Sequence, residues 1–334
     1  MELINLSNFS VQPVIVMNNQ GKETLLVVVK GTYVLDGVRA YLNADQEKIL
    51  MADEYNGEPG LSSIRYAGET TLFKPATDLI ILGSALPRRR DEQSVDVVLQ
   101  AGKIRKTVRV FGDRYWVGKK GSERISEPQP FDCMPLVFER AFGGIDDSPD
   151  PPEADPRNPI GKGFRAKNSQ RPTAGTLLPN LENPAQMIRT PSDRPAPAGT
   201  GFVAPHWEPR RTRAGTYDEK WQNERAPFLP DDFDPLFHQS APLDQVYPGY
   251  MEGGEPITVV NVSPSGRLSF LLPSPKFDVA VRIGEDRHSL QMRLDTVVID
   301  ADNSRLRMVW RGSLSIHNQI YDVEWIKAAM AEEA

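Results

Sequence analysis

The sequence predicts a mainly β protein: antiparallel sheets in a sandwich- or barrel-like core, a long irregular Pro/Gly-rich excursion, and a short C-terminal helix. Three observations lead there. Runs of strand length rich in β-branched residues fill both ends of the chain, Gly, Asp and Asn turns separate them, and 21 of the 29 prolines crowd between Pro128 and Pro248. Proline fixes φ and donates no backbone hydrogen bond, so the middle excludes long helices and central strands.

In the N-terminal part, Thr24 to Leu35 (TLLVVVKGTYVL) is dense in β-branched residues, alternates around Lys30 and Thr32, and stops at the turn pair Asp36 and Gly37. Thr77 to Leu86, Ser94 to Gly102 and Lys106 to Trp116 repeat the pattern with short polar or glycine breaks, a spacing that favours antiparallel sheet over βαβ units. After the proline-rich middle, Glu255 to Ser263, the turn Pro264 to Gly266, and Arg267 to Pro273 form a hairpin pattern. Phe277 to Gly284, Thr296 to Asn303 and Arg305 to Ile316 follow. The tail Asp322 to Glu333 has good helix formers behind Asp322 as an N-cap, and is the expected helix. We expect one domain over 1–334: β-rich 1–127, an ordered excursion 128–248, and β-rich 249–316 with the tail 317–334 completing the same core.

Bulk composition removes several function classes. A formal charge of −6 leaves no clustered positive field for a phosphate backbone, so no nucleic acid partner is expected. Arg88 to Arg90 run into Asp91 and Glu92, and Arg210, Arg211 and Arg213 sit near Asp218 and Glu219, which reads as self-neutralised faces. Cys133 is the only cysteine and is flanked by Phe131, Met134 and Leu136, so it reads as a small buried hydrophobe. His206, His238, His288 and His317 lack the spacing of a zinc site, and no metal or cofactor is expected. The start MELINLSNFS is acidic and then polar, and no apolar run approaches the ~20 residues a membrane helix needs, so a cytoplasmic protein without membrane contact is expected.

No constellation reaches the pattern of an active site. NPIGKGF (Asn158 to Phe164) lacks the spacing of a phosphate loop and reads as a turn with glycines at positive φ; Gly143 and Gly144 read likewise. Glu182, Glu208, Asp218, Asp231, Asp232 and Asp234 could supply an acid/base pair beside Trp207 and Trp221, although aspartate beside proline is a common turn and cap choice. A calcium site at Asp231 to Asp234 lacks the glycine and distant glutamate of an EF-hand loop. The aromatics of the excursion remain. Disordered linkers are poor in them, so we expect an ordered surface built for contact, with Trp207, Arg210, Tyr217, Trp221 and Phe233 as partner-binding candidates.

Several stretches in order resemble a bacterial domain-of-unknown-function family, number 2169, whose members sit in type VI secretion gene clusters. They include VVVKGTY (Val27 to Tyr33), DEYNGEPGLSSIRY (Asp53 to Tyr66), FKPATDLIILGSA (Phe73 to Ala85), VFGDRYW (Val110 to Trp116), MPLVFERAFGG (Met134 to Gly144), NPIGKGF, LPNLENP (Leu177 to Pro184), WEPR (Trp207 to Arg210), AGTYDEKW (Ala214 to Trp221) and LPDDFDPLF (Leu229 to Phe237). The resemblance implies a non-catalytic adaptor or chaperone. It would bind a secretion effector or a PAAR-type spike tip and aid loading onto the VgrG spike. It implies no catalytic residue. Two other readings stand beside it: a carboxylate-dependent hydrolase acting on a carbohydrate, and a structural component of the secretion apparatus.

Overall fold

A computed structural model describes residues 1–18, 20–316 and 319–331. In chain order the strands that build the core are β1 (Glu2–Asn5), β2 (Ser10–Met17), β3 (Glu23–Leu35), β4 (Ala40–Leu42), β5 (Asp78–Leu82), β6 (Ser94–Ala101) and β7 (Ile104–Phe111). There follow β8 (Leu181–Glu182), β9 (Pro256–Val260), β10 (Arg267–Leu271), β11 (Phe277–Ile283), β12 (Asp286–Leu290), β13 (Arg293–Asp300), β14 (Arg305–Ser315) and β15 (Val323–Met330). The protein is mainly β, as its sequence predicts, and the one α-helix among the described residues is α1 (Glu219–Glu224).

Three sheets form the frame, and none closes on itself. The six-stranded sheet runs β2-β3-β14-β13-β5, with β4 on the edge of β3; the five-stranded sheet runs β8-β7-β6-β9-β10; the four-stranded sheet runs β1-β15-β11-β12. Pairing is antiparallel except where β5 meets β13 and where β1 meets β15. The expected sandwich therefore holds and the barrel alternative does not. β3 explains its own unbroken apolar run: Leu25, Val27 and Val29 face one way and Leu26 and Val28 the other, and both faces are covered. β6 and β7 instead alternate, burying Val95, Val97 and Leu99 and then Ile104, Val108 and Val110. Those side chains meet Leu79, Ile81, Val297, Ile299, Leu306 and Met308 of the six-stranded sheet in the main core. A second core lies between β3 and the four-stranded sheet, around Val279, Val281, Ile326 and Ala328.

Two sequence expectations are corrected. The C-terminal tail is a strand: β15 lies parallel to β1 and antiparallel to β11, burying Val323, Ile326 and Ala328. A register shift opposite Arg282 and Ile283 hides the two-residue alternation, and the helix formers Ala328 and Ala329 are overridden by two flanking strands. Asp322 ends a 3₁₀ turn, and the last residues of the expected helix, Glu332 and Glu333, lie outside the described residues, as does His317. Cys133 is exposed. The short strand Met134–Pro135 turns Met134 into the core, and alternation leaves its neighbour outside.

The excursion is welded to this frame. Lys74, buried on the family-like stretch FKPATD, donates to Asp78 Oδ2 (2.7 Å), Thr296 Oγ1 (2.9 Å) and Ser240 Oγ (3.2 Å). Gln239 Nε2 and the Ser240 amide also donate to Asp78, at 2.7 and 2.8 Å. Burial pushes the Asp78 carboxyl up, but the Lys74 ammonium and the Ser240 donors outweigh it and leave it below its ordinary value. Gln245 Nε2 bridges the carbonyls of Leu79 (2.7 Å) and Thr200 (2.9 Å). Farther along, Phe142–Gly143 pairs with Lys162–Gly163, and the Asn158 side chain donates to the carbonyls of Phe138 and Phe142. At Gly143 φ is +144° and a Cβ would lie 2.1 Å from the Asn158 carbonyl oxygen, so only glycine allows this closure.

Candidate interaction surface

The residues of Ala214 to Phe237 are local in their logic. Asp218, extended at φ −96°, accepts from the Trp221 amide at 2.8 Å and starts α1; two turns of chain later the Arg225 and Ala226 amides both donate to the Trp221 carbonyl and end it. The Trp221 indole Nε1 donates to the Phe228 carbonyl at 2.8 Å, and Arg225 Nε donates to the Leu229 carbonyl at 2.9 Å. Asp232 closes the unit from the far side, accepting from the Thr216 amide (2.9 Å) and hydroxyl (2.7 Å). Those two bonds hold the Asp232 carboxyl below its ordinary value. Phe228 reaches back over Gly21 in the β2–β3 turn, where a Cβ would come within 2.5 Å of its ring.

What this unit presents is aromatic and acidic. Tyr217 is 53% exposed and meets the half-buried Trp221 edge-on, with ring centroids 4.7 Å apart. Phe228 and Leu236 are exposed nearby. A cleft of about 320 Å³ opens beside Trp221, lined by Thr216, Asp218, Lys220, Glu224, Arg225, Pro230, Asp231 and Asp232. Asp231 pairs with Arg225 at 3.2 Å. A Trp fixed by a hydrogen bond, with an exposed Tyr ring packed on it, is what an interface anchor requires, because little side-chain entropy remains to be lost on binding.

The five candidates named from sequence separate into three groups. Tyr217 and Trp221 come together on this surface. Arg210 and Phe233 form the strut beneath it: Arg210 donates to the carbonyls of Phe237 (2.8 Å) and Val203 (2.6 Å) and lies over the Phe237 ring, which Phe233 meets edge-on at 5.6 Å. Trp207 is corrected. At 1% exposure it packs edge-on against Phe138 in the main core, so it pins the excursion and has no surface to offer. Phe228 was not among the candidates named from sequence, and the carboxylates of the cleft were weighed there as an acid/base pair or as turn and cap residues, not as part of a contact surface. The acid spacing of DEKWQNER and LPDDFDP was the available signal, since six carboxylates in one stretch exceed what its turns use.

A second concavity, about 430 Å³, lies where the excursion crosses β7, with apolar walls from Phe138, Pro197, Ala198, Val203, Pro209 and Leu243. At its side Lys106 donates to the Gly199 carbonyl (2.6 Å) and to Asp244 (2.8 Å); burial lowers the Lys106 pKa and Asp244 partly offsets it. The carboxylates considered for catalysis are dispersed among structural tasks. Glu182 is buried against Arg114 and accepts from the Ile188 amide, Glu208 pairs with Arg211, and Asp234 caps a 3₁₀ turn. Among the described residues no group of His, Cys, Asp and Glu is arranged to hold a metal ion, and no helix is long and apolar enough to cross a membrane.

A family model described as an uncharacterized protein conserved in bacteria (DUF2169) matches residues 20–311. No curated protein and no solved structure matches the chain.

Proposed function

The chain belongs to the DUF2169 family of bacterial proteins, and from that premise we propose that it is a non-catalytic adaptor or chaperone. It binds a type VI secretion effector or a PAAR-type spike tip in the cytoplasm and aids loading onto the VgrG spike. The observation that carries this reading is the Tyr217–Trp221 pair: an exposed Tyr ring packed on a half-buried Trp that its indole hydrogen bond fixes, on a loop segment that Trp207, Lys74 and Gln245 fasten to the core. Such a surface supports binding, because the strut is rigid before a partner arrives. The apolar concavity beside β7 supplies a second place for an extended segment.

The test is a pull-down of tagged protein from its native cells, with mass spectrometry of what co-purifies, alongside a folded Tyr217→Ala/Trp221→Ala variant. Recovery of an effector or PAAR-type protein by the wild type and its loss in the variant is the expected result. Absence of any secretion-cluster protein from the wild-type eluate overturns the reading.

One observation favours the hydrolase alternative: Asp218, Asp231 and Asp232 line one cleft beside Trp221. Their engagements weigh against it. Asp218 caps α1, Asp231 pairs with Arg225, and Asp232 is held more acidic than usual, the opposite of what a proton donor at neutral pH needs.

A further inference from the structure

The net charge of the chain is unevenly placed. Between Thr216 and Leu236 lie Asp218, Glu219, Glu224, Asp231, Asp232 and Asp234 against Lys220 and Arg225, a local net of −4, with Asp234 paired to Arg213 just before the stretch. This stretch also carries the exposed aromatic pair and its cleft, whose walls hold four carboxylates and two cations, one of which, Arg225, is already engaged by Asp231 and the Leu229 carbonyl. We propose that the cleft receives a cationic polypeptide segment, with a Lys or Arg side chain lying against the Trp221 indole among Asp218, Glu224 and Asp232, and apolar neighbours covering Tyr217.

Three features favour that occupant. A cation beside an indole face gains from the ring quadrupole, and more so when carboxylates share the site. A long cationic side chain brings an apolar stem and a charged head, which suits a cleft lined by both Trp221 and Pro230 and by carboxylates. The exposed Tyr217, whose ring packs on Trp221 of the cleft wall, gives flanking apolar residues something to cover, which a free polyamine lacks. Sign alone excludes an anionic polymer here.

The inference takes its biological setting from the adaptor reading, but the test stands apart from it. Purified full-length protein is titrated into a fluorescein-labelled peptide of alternating Lys and Leu, of roughly a dozen residues, and into Glu/Leu and Lys/Ser counterparts, with anisotropy as the readout. The titrations are run at about 0.1 M and about 1 M NaCl, where the Debye length falls from about 10 Å to about 3 Å. The Lys/Leu peptide should bind and the Glu/Leu peptide should not. The triple variant Asp218→Asn/Glu224→Gln/Asp232→Asn, which keeps the cap and the Thr216 bonds in shape, should weaken binding about tenfold at low salt and far less at high salt. Trp221→Ala should weaken it at both, with Trp221→Phe restoring part; each variant is first checked for an unchanged melting profile.

Equal binding of the Lys/Leu and Glu/Leu peptides, or equal binding by wild type and the triple variant, overturns the proposal. So does indifference between Lys/Leu and Lys/Ser peptides together with full displacement by spermidine, which would reassign the cleft to a free polyamine. If the peptides fail while the native pull-down succeeds, the adaptor reading survives with its contact elsewhere. If the peptides behave as expected while no secretion protein is captured, the chemistry of the cleft stands and the secretion role falls.

Discussion

Trp207 and Tyr217 sit ten residues apart in one proline-rich segment and do opposite things. Trp207→Ala removes a fully buried ring from a close-packed core and should lower stability by about 3–5 kcal/mol, read as a fall in urea midpoint with little change in slope. Tyr217→Ala removes an exposed ring and should move stability by less than about 0.5 kcal/mol while weakening partner capture. His238 sets a pH dependence. It is half-buried beside Phe233 and Phe237, and burial, followed by the charges of Arg210, Lys74 and Arg311, takes its pKa from 6.5 to about 4. The unfolded chain then takes up the proton first, so this contribution is whole above pH 6.5 and is lost as pH falls toward 4, on the order of 3 kcal/mol. His206, also lowered by burial and by Arg210, acts in the same direction, whereas the depressed Asp78 carboxyl adds loss only below its ordinary 3.8. Urea midpoints between pH 7.5 and 4 for wild type and His238→Gln check this: the variant should show the shallower decline.

At the scale of elements, β15 is the piece whose removal should travel farthest. It is the hydrogen-bonded neighbour of both β1 and β11 and buries Ile326 at 0% exposure. Ending the chain before Val323 should therefore free the amides of β1 and β11 in hydrogen exchange while those of β3 and β14 stay protected, because the latter are paired in the six-stranded sheet. Unchanged protection in β11 would show that the four-stranded sheet does not depend on β15. The hairpin of β9 and β10 needs no such neighbour to be recognised. Its turn is closed by Gly266 N donating to the Ser263 carbonyl and Asn261 N to the Gly266 carbonyl, and it lies where Pro264 and Gly266 predict it. α1, by contrast, is six residues held by one cap and an indole hydrogen bond, too short to announce itself by periodicity.

For the molecule as a whole, the excursion is a structural partner of the sheets. Phe138, Leu181, Phe202 and Trp207 enter the main core, and Gln239, Ser240 and Gln245 satisfy buried polar groups of β5. Replacing 128–248 by a flexible linker would leave Asp78 buried with fewer donors and open one side of that core. The expected outcome is loss of a cooperative melting transition, followed by calorimetry; a linker protein that still unfolds cooperatively would show that the sheets stand alone. Sequence alone was enough for the β class, most strand positions and a middle without long helices or central strands, because alternation, turn residues and proline act through the nearest few residues. β1, β2, β4, β8, β12 and β15 were missed: β1, β4 and β8 are only two to four residues long, β2 is interrupted by Pro13, β12 is polar, and β15 is helix-prone and pairs with a strand at the other end of the chain. Which aromatics face solvent was likewise decided by tertiary structure. Trp207 and Trp221 look alike in sequence, and only tertiary packing buries the first against Phe138 and leaves the second on the wall of an open cleft among carboxylates. Burial is a property of what long-range packing brings alongside a side chain, and local composition does not contain it.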